Sequence, residues 1–118
     1  MLDSLKRRSG TRWPRGQRFV LSSAGEAAES EFRDAVQVSR SQGRAALETA
    51  QRSWAAPLGL EPLDGVVLGE LRGGARRSIA DVVRALQDCG TTAPEVKSSI
   101  DRLARTGLVA PVATAAAA

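Results

Sequence analysis

The feature that most constrains this chain is a run of three short amphipathic segments between Leu63 and Thr106, each with its own start and stop signals. The first carries Leu63, Val66, Val67, Leu68 and Leu71 and ends at Gly73-Gly74; being apolar on most sides, it belongs at the centre of a core. The second opens at Ser78, with Asp81 three residues on, sets Ile79, Val82, Val83 and Leu86 on one face and stops at Gly90. The third opens at Thr92, has Pro94 in its first turn and Glu95 at the reciprocal cap position, and carries Val96, Ile100 and Leu103 inward as far as Gly107. In such a capping box a hydroxyl and a carboxylate each satisfy a backbone N–H that the helix start leaves unpaired. Glycine then takes the left-handed conformation that ends a helix. Caps and periodicity agree, so three helices packed on one another are expected. Leu108 to Val112 reads as a strand, with Arg76-Arg77-Ser78 as its short partner.

Upstream, Ser23 and Glu26 have capping-box spacing and Pro57 is a stop, which predicts one long amphipathic helix over 23–56. Its stripe is Ala28, Phe32, Ala35, Val36, Ser39, Gly43, Ala46, Leu47, Ala50 and Trp54. Because Ser39 and Gly43 bury little, the helix is expected to dock on the domain or to pair with a second copy. Phe32, Val36, Gly43, Leu47 and Trp54 form that face, Gly43 allowing close backbone approach. Residues 1–22 read as a basic disordered arm with a short strand at 17–22, and 113–118 as an alanine-rich disordered tail. A processed organelle transit peptide is the competing reading of the arm.

Composition removes most chemistry. The chain has no His, no Tyr and one Cys, so Ser-His and Cys-His nucleophile pairs and ordinary zinc sites cannot be built. The expectation is a binding module, not an enzyme, with no cofactor and no metal. Cys89 reads as a small apolar residue ending a helix, and a lone cysteine fits a reducing compartment. Gly69 to Gly74 has the glycine interval of a phosphate loop, yet Ala75-Arg76 stands where Lys-Ser/Thr is needed, so it reads as a helix end. Acidic pairs such as Glu26/Glu29 and Asp81/Asp88 read as solvated outer faces. The longest apolar stretch, Leu108 to Ala118, is far short of the roughly 20 residues of a membrane span.

Charge is distributed unevenly. Residues 1–18 hold Lys6, Arg7, Arg8, Arg12, Arg15 and Arg18 against Asp3, leaving +5, whereas residues 58–118 hold seven basic and seven acidic side chains and are neutral. A basic arm of this kind can neutralise phosphates without reading sequence.

The segment from Ser78 through the Gly90-Thr91-Thr92 turn to Val109, above all Arg102-Leu-Ala-Arg-Thr-Gly-Leu-Val109, resembles the second helix, third helix and opening strand of winged-helix transcription regulators of the MarR and ArsR groups. The resemblance implies a mainly α fold: a three-helix winged-helix-like domain over 58–112 with a minimal β-strand pair and no full wing, preceded by the long helix. It implies duplex DNA as partner, with Thr91, Thr92, Pro94, Lys97 and Ser98 toward the groove and Arg102 and Arg105 nearer phosphates. The function expected is a small DNA-binding regulator or nucleoid-associated protein of the bacterial cytoplasm, dimerised through the long helix. The alternative is a protein-interaction adaptor on the same fold.

Overall fold

The computed structural model describes residues 12–113. Lys6, Arg7 and Arg8, the arm before Arg12, and residues 114–118 of the alanine-rich tail lie outside the described residues. The fold is mainly helical with one small antiparallel sheet. The order is β1 (Arg18–Leu21), α1 (Ser23–Arg40), α2 (Arg44–Ala55), α3 (Pro62–Glu70), β2 (Arg77–Ser78), α4 (Ile79–Ala85), α5 (Ala93–Arg105) and β3 (Val109–Pro111). No helix among the described residues is long and apolar enough to cross a membrane.

Both capping boxes in the second half form. Ser78 Oγ accepts from Asp81 N at 3.1 Å while Asp81 Oδ2 accepts from Ser78 N at 3.0 Å, and Thr92 and Glu95 make the same exchange at the start of α5. A third box, not anticipated, joins Glu61 and Asp64 at the start of α3. The core is built from Val67 and Leu68 of α3 with Leu71 at its C-cap, Val82 of α4 with Leu86 at its C-cap, and Val96, Ile100 and Leu103 of α5, closed by Leu108 and Val109. Leu108 N donates to Leu103 O at 2.9 Å, so the chain turns back onto α5 directly after Gly107. At Gly107 φ is +79°, a conformation glycine adopts without strain.

Three expectations are corrected. First, the single helix over 23–56 is two, α1 and α2, packed on each other and on α3. The break falls at Ser41 to Gly43, and at Gly43 φ is +103°, which a continuous helix cannot contain. Gly43 is therefore a hinge of the hairpin and not a close-approach point: a Cβ there would meet nothing within 4 Å. The first of the two starts at Ser23 as expected, but its cap is not Ser23 but Ser22, whose side chain accepts from Gly25 N at 3.0 Å. Second, the sheet is not a strand pair. Its order is β2-β1-β3, so β1 lies between the two strands expected to pair directly, with Phe19 opposite both Arg77 and Pro111. Inward Phe19 and Leu21 explain its central place, for they add two buried side chains to the trihelical core. Residues 12–22 thus belong to the folded unit. Third, Glu29 is not on a solvated face but 4% exposed; Cys89 does end a short helical segment, a 3-10 turn over Gln87–Cys89, but there it is exposed.

The α1-α2 hairpin is closed by aromatic contact. Phe32 and Trp54 meet edge to face at 4.7 Å, and Trp54 Nε1 donates to Ala28 O at 3.0 Å. Val36 and Leu47 are half-buried beside them. Docking requires glycine at position 65, where a Cβ would run into the Phe32 ring. Gly65→Ala should therefore destabilise the protein by about 1–3 kcal/mol through overpacking. Gly69→Ala, one turn along with open space at its Cβ, should be neutral or stabilising by up to about 1 kcal/mol. Urea denaturation of the two variants checks the contrast.

Candidate nucleic-acid interface

The expected interface residues divide into three groups by what they already hold. Thr92 is committed to capping: its backbone N–H donates to Glu95 Oε1 at 2.8 Å and its hydroxyl to the same oxygen at 3.0 Å. These bonds hold the Glu95 carboxyl below the usual glutamate range, chiefly through the backbone donor. Thr91 is half-buried just before the cap, and Pro94 and Ser98 are exposed on the first turns of α5. Pro94, Glu95 and Ser98 line a shallow groove of about 230 Å3 with Glu61, Leu63 and Arg102.

Arg102 does not stand as a solvent-facing cation. Its Nε and Nη2 donate to Oδ2 and Oδ1 of Asp64, both at 2.9 Å, and Glu61 approaches Nη2 at 3.6 Å. The bond to Asp64 raises its pKa above the ordinary arginine value, with burial opposing in part. Asp64 is wholly buried on α3 and also accepts from Ser99 Oγ at 2.6 Å and from Glu61 N at 2.8 Å. All four donors converge on one carboxylate, and no buried side-chain polar atom among the described residues lacks a partner. Sequence reasoning missed Asp64, because an acid in a first helical turn is ordinary and nothing in the spacing distinguishes a cap from a buried clamp.

Lys97 is half-buried, and its ammonium donates to Asp101 Oδ2 at 2.9 Å. The other oxygen of Asp101 accepts from Trp13 Nε1 at 2.9 Å. Asp101, 5% exposed, is thereby enclosed by an α5 lysine and an indole from the segment before β1, and Trp13 packs edge to face on Phe19 at 5.0 Å. In sequence, only an aromatic residue set among arginines marks this anchor. Arg12, Arg15 and Arg18 are exposed, and Arg105 is exposed in the last turn of α5. Arg15, Gly16, Ser78, Ala80 and Lys97 share a depression of about 270 Å3, so the basic segment and the third helix meet. Phe32 and Trp54 of the expected dimer face are buried within this chain. Among the described residues no group of three or more His, Cys, Asp or Glu could hold a metal ion. The chain matches no protein-family model, no curated protein and no solved structure.

Removing Asp64 leaves the Arg102 guanidinium part-buried without its counter-charge, so Asp64→Ala should cost about 3–5 kcal/mol in denaturant unfolding. Glu61→Ala, whose side chain is 64% exposed, should cost under about 1 kcal/mol.

A pH dependence follows from the caps. The folded pKa of Glu95, like that of Asp81, lies below its unfolded value. Its contribution is complete above the unfolded value and disappears as pH falls through the folded one. Glu95→Gln keeps the reciprocal hydrogen bond without the charge. Its unfolding midpoint should therefore fall less steeply on the acid side than that of the parent, measured in denaturant between pH 3 and 6.

Proposed function

We propose that this chain is a small DNA-binding regulator or nucleoid-associated protein, with α4, the turn at Gly90 and α5 acting as a helix-turn-helix inside a winged-helix-like unit completed by α3. The observation that carries the reading is the Trp13 to Asp101 bond, which ties the basic N-terminal segment to the helix expected to enter the groove. The domain is neutral, so electrostatic attraction for phosphate has to come from outside it. The arm supplies it, and the segment anchored by Trp13 brings Arg15 into one depression with Lys97.

The strand order supports a role for the arm in place of a wing. A hairpin wing would leave β3 and return as a further strand; here β1 occupies the middle of the sheet. Gln17 Nε2 donates to Val112 O at 2.9 Å, so the segment before β1 meets the chain leaving β3 at the edge where a wing would project. Arginines entering there are suited to sugar and phosphate contacts and carry no base preference. Specificity then rests on Thr91, Pro94, Lys97 and Ser98, with Arg105 free for a phosphate and Arg102 withdrawn from the count.

An adaptor that binds protein is the second reading, and one observation favours it. A largely apolar depression of about 510 Å3 lies between α4 and the start of α5, lined by Ile79, Ala80, Val83, Thr91 and Ala93 with Arg84 and Gln87. Exposed Glu61 and Glu95 flank the same end of α5.

Titration of a labelled duplex at several salt concentrations separates the two. Each phosphate contact contributes about −0.9 to the slope of log affinity against log salt. Replacing Lys6, Arg7, Arg8, Arg12 and Arg15 by Gln should flatten that slope by about 3 to 5. An unchanged slope, or no duplex binding even near 50 mM salt, rejects the DNA reading and leaves the adaptor.

A further inference from the structure

We propose that the groove between α1 and α3 docks an amphipathic helix of a protein partner whose apolar stripe is flanked by carboxylates. The groove has a volume of about 440 Å3 and lies apart from the interface described above: no residue of α4 or α5 lines it. Its floor is Phe32 and Val36 from α1 with Val66 from α3, and Arg33, Arg40 and Arg72 stand along the rim.

Three features point to a helix. The α1 wall is formed by positions 29, 32, 33, 36, 37 and 40, a repeating step of three and one. That stripe runs for three helical turns, about 16 Å at roughly 1.5 Å per residue, a length that matches three turns of a second helix. The α3 wall is low at Gly69, where a Cβ would meet nothing within 4 Å. A partner backbone can therefore come close along that side. Finally, the groove is partly open to solvent and not an enclosed cavity, and its apolar lining suits the side-chain anchors of an amphipathic helix.

Charge selects the partner. Three guanidiniums border the groove against one carboxylate, that of Glu29, which is buried at one end with Arg33 at 3.3 Å and Arg72 at 3.9 Å. Glu29 holds those two arginines over the floor and leaves two positive charges uncompensated. Arg40, at the other end, is exposed in the last turn of α1. Carboxylates on both flanks of the incoming helix meet these arginines, whereas the chain's own N-terminal segment, at +5 over residues 1–18, is repelled.

The test uses the full chain and two synthetic helix-forming peptides of about 16 residues. Both carry leucines at three- and four-residue spacing; one is flanked by glutamates, the other by lysines. With fluorescein on each peptide, the acidic one should bind saturably by anisotropy and the basic twin at least about tenfold more weakly. Trp54 packs on the groove residue Phe32, so its fluorescence should shift with the acidic peptide. Arg40→Glu should weaken binding at least about fivefold, and Gly69→Trp should fill the groove and abolish it. Both substitutions lie where nothing buried is disturbed, and thermal melts should confirm that each variant stays folded. Equal binding of the two peptides, no saturable binding, or retention of affinity in both variants overturns the proposal. So does binding of decanoate or of a DNA duplex, but not of the acidic peptide, with loss on Arg40→Glu.

Discussion

The arrangement of the helices depends on one buried carboxylate. Asp64 is fully withdrawn from water, and its two oxygens take hydrogen bonds from Ser99, twice from Arg102 and from the backbone of Glu61. An uncompensated carboxylate in that place would cost several kcal/mol, so folding proceeds only to the geometry in which all four donors arrive together. This ties the start of α3 to the middle of α5, and apolar packing of Leu68, Ile100 and Leu103 fills in around it. Hydrophobic contacts alone tolerate some sliding of one helix over another. A bidentate bond does not, and the angle at which α5 presents its outer side is set by it.

The same bond alters what α5 can offer a partner. Arg102 and Arg105 look equivalent in sequence, two arginines one turn apart, yet the first neutralises a buried acid and the second faces water. Lys97 and Asp101 repeat the pattern, with Trp13 as a third member. Of the basic side chains on the third helix, Arg105 alone is exposed, which shifts the weight of any phosphate attraction to the N-terminal segment.

What could be read from sequence was local. The caps at Ser78 and Thr92, the glycine stops and the inward positions of Val82, Val96 and Ile100 all depend on residues within one turn of each other, and the structure has them as the periodicity implies. What escaped was long-range. Gln17 to Ser22 was legible as a strand, but its place between β2 and β3 depends on pairings with residues about 60 and 90 positions away. Asp64 and Arg102 are 38 residues apart, and Trp13 and Asp101 are 88. The helix break at Gly43 was misread for a different reason: its glycine falls on the apolar stripe, where a small residue and a hinge look alike until φ is known.

The position of β1 has a consequence for how the two halves of the chain cooperate. Phe19 and Leu21 are core residues, and Ser22 caps α1 while its hydroxyl donates to Gly107 O at 2.6 Å and its N–H to Leu108 O at 3.0 Å. A Cβ on Gly25 would collide with that same Leu108 carbonyl, so the start of α1 sits directly on the turn that ends α5. The strand, the hairpin of α1 and α2 and the trihelical unit are thus joined at one corner. On the proposed reading, the basic segment and the third helix act on a ligand as one surface only while that corner is closed. Arg15, which shares a depression with Lys97, is then part of the reader by virtue of folding, held beside α5 by the segment whose Trp13 bonds Asp101 and packs on Phe19 of the core.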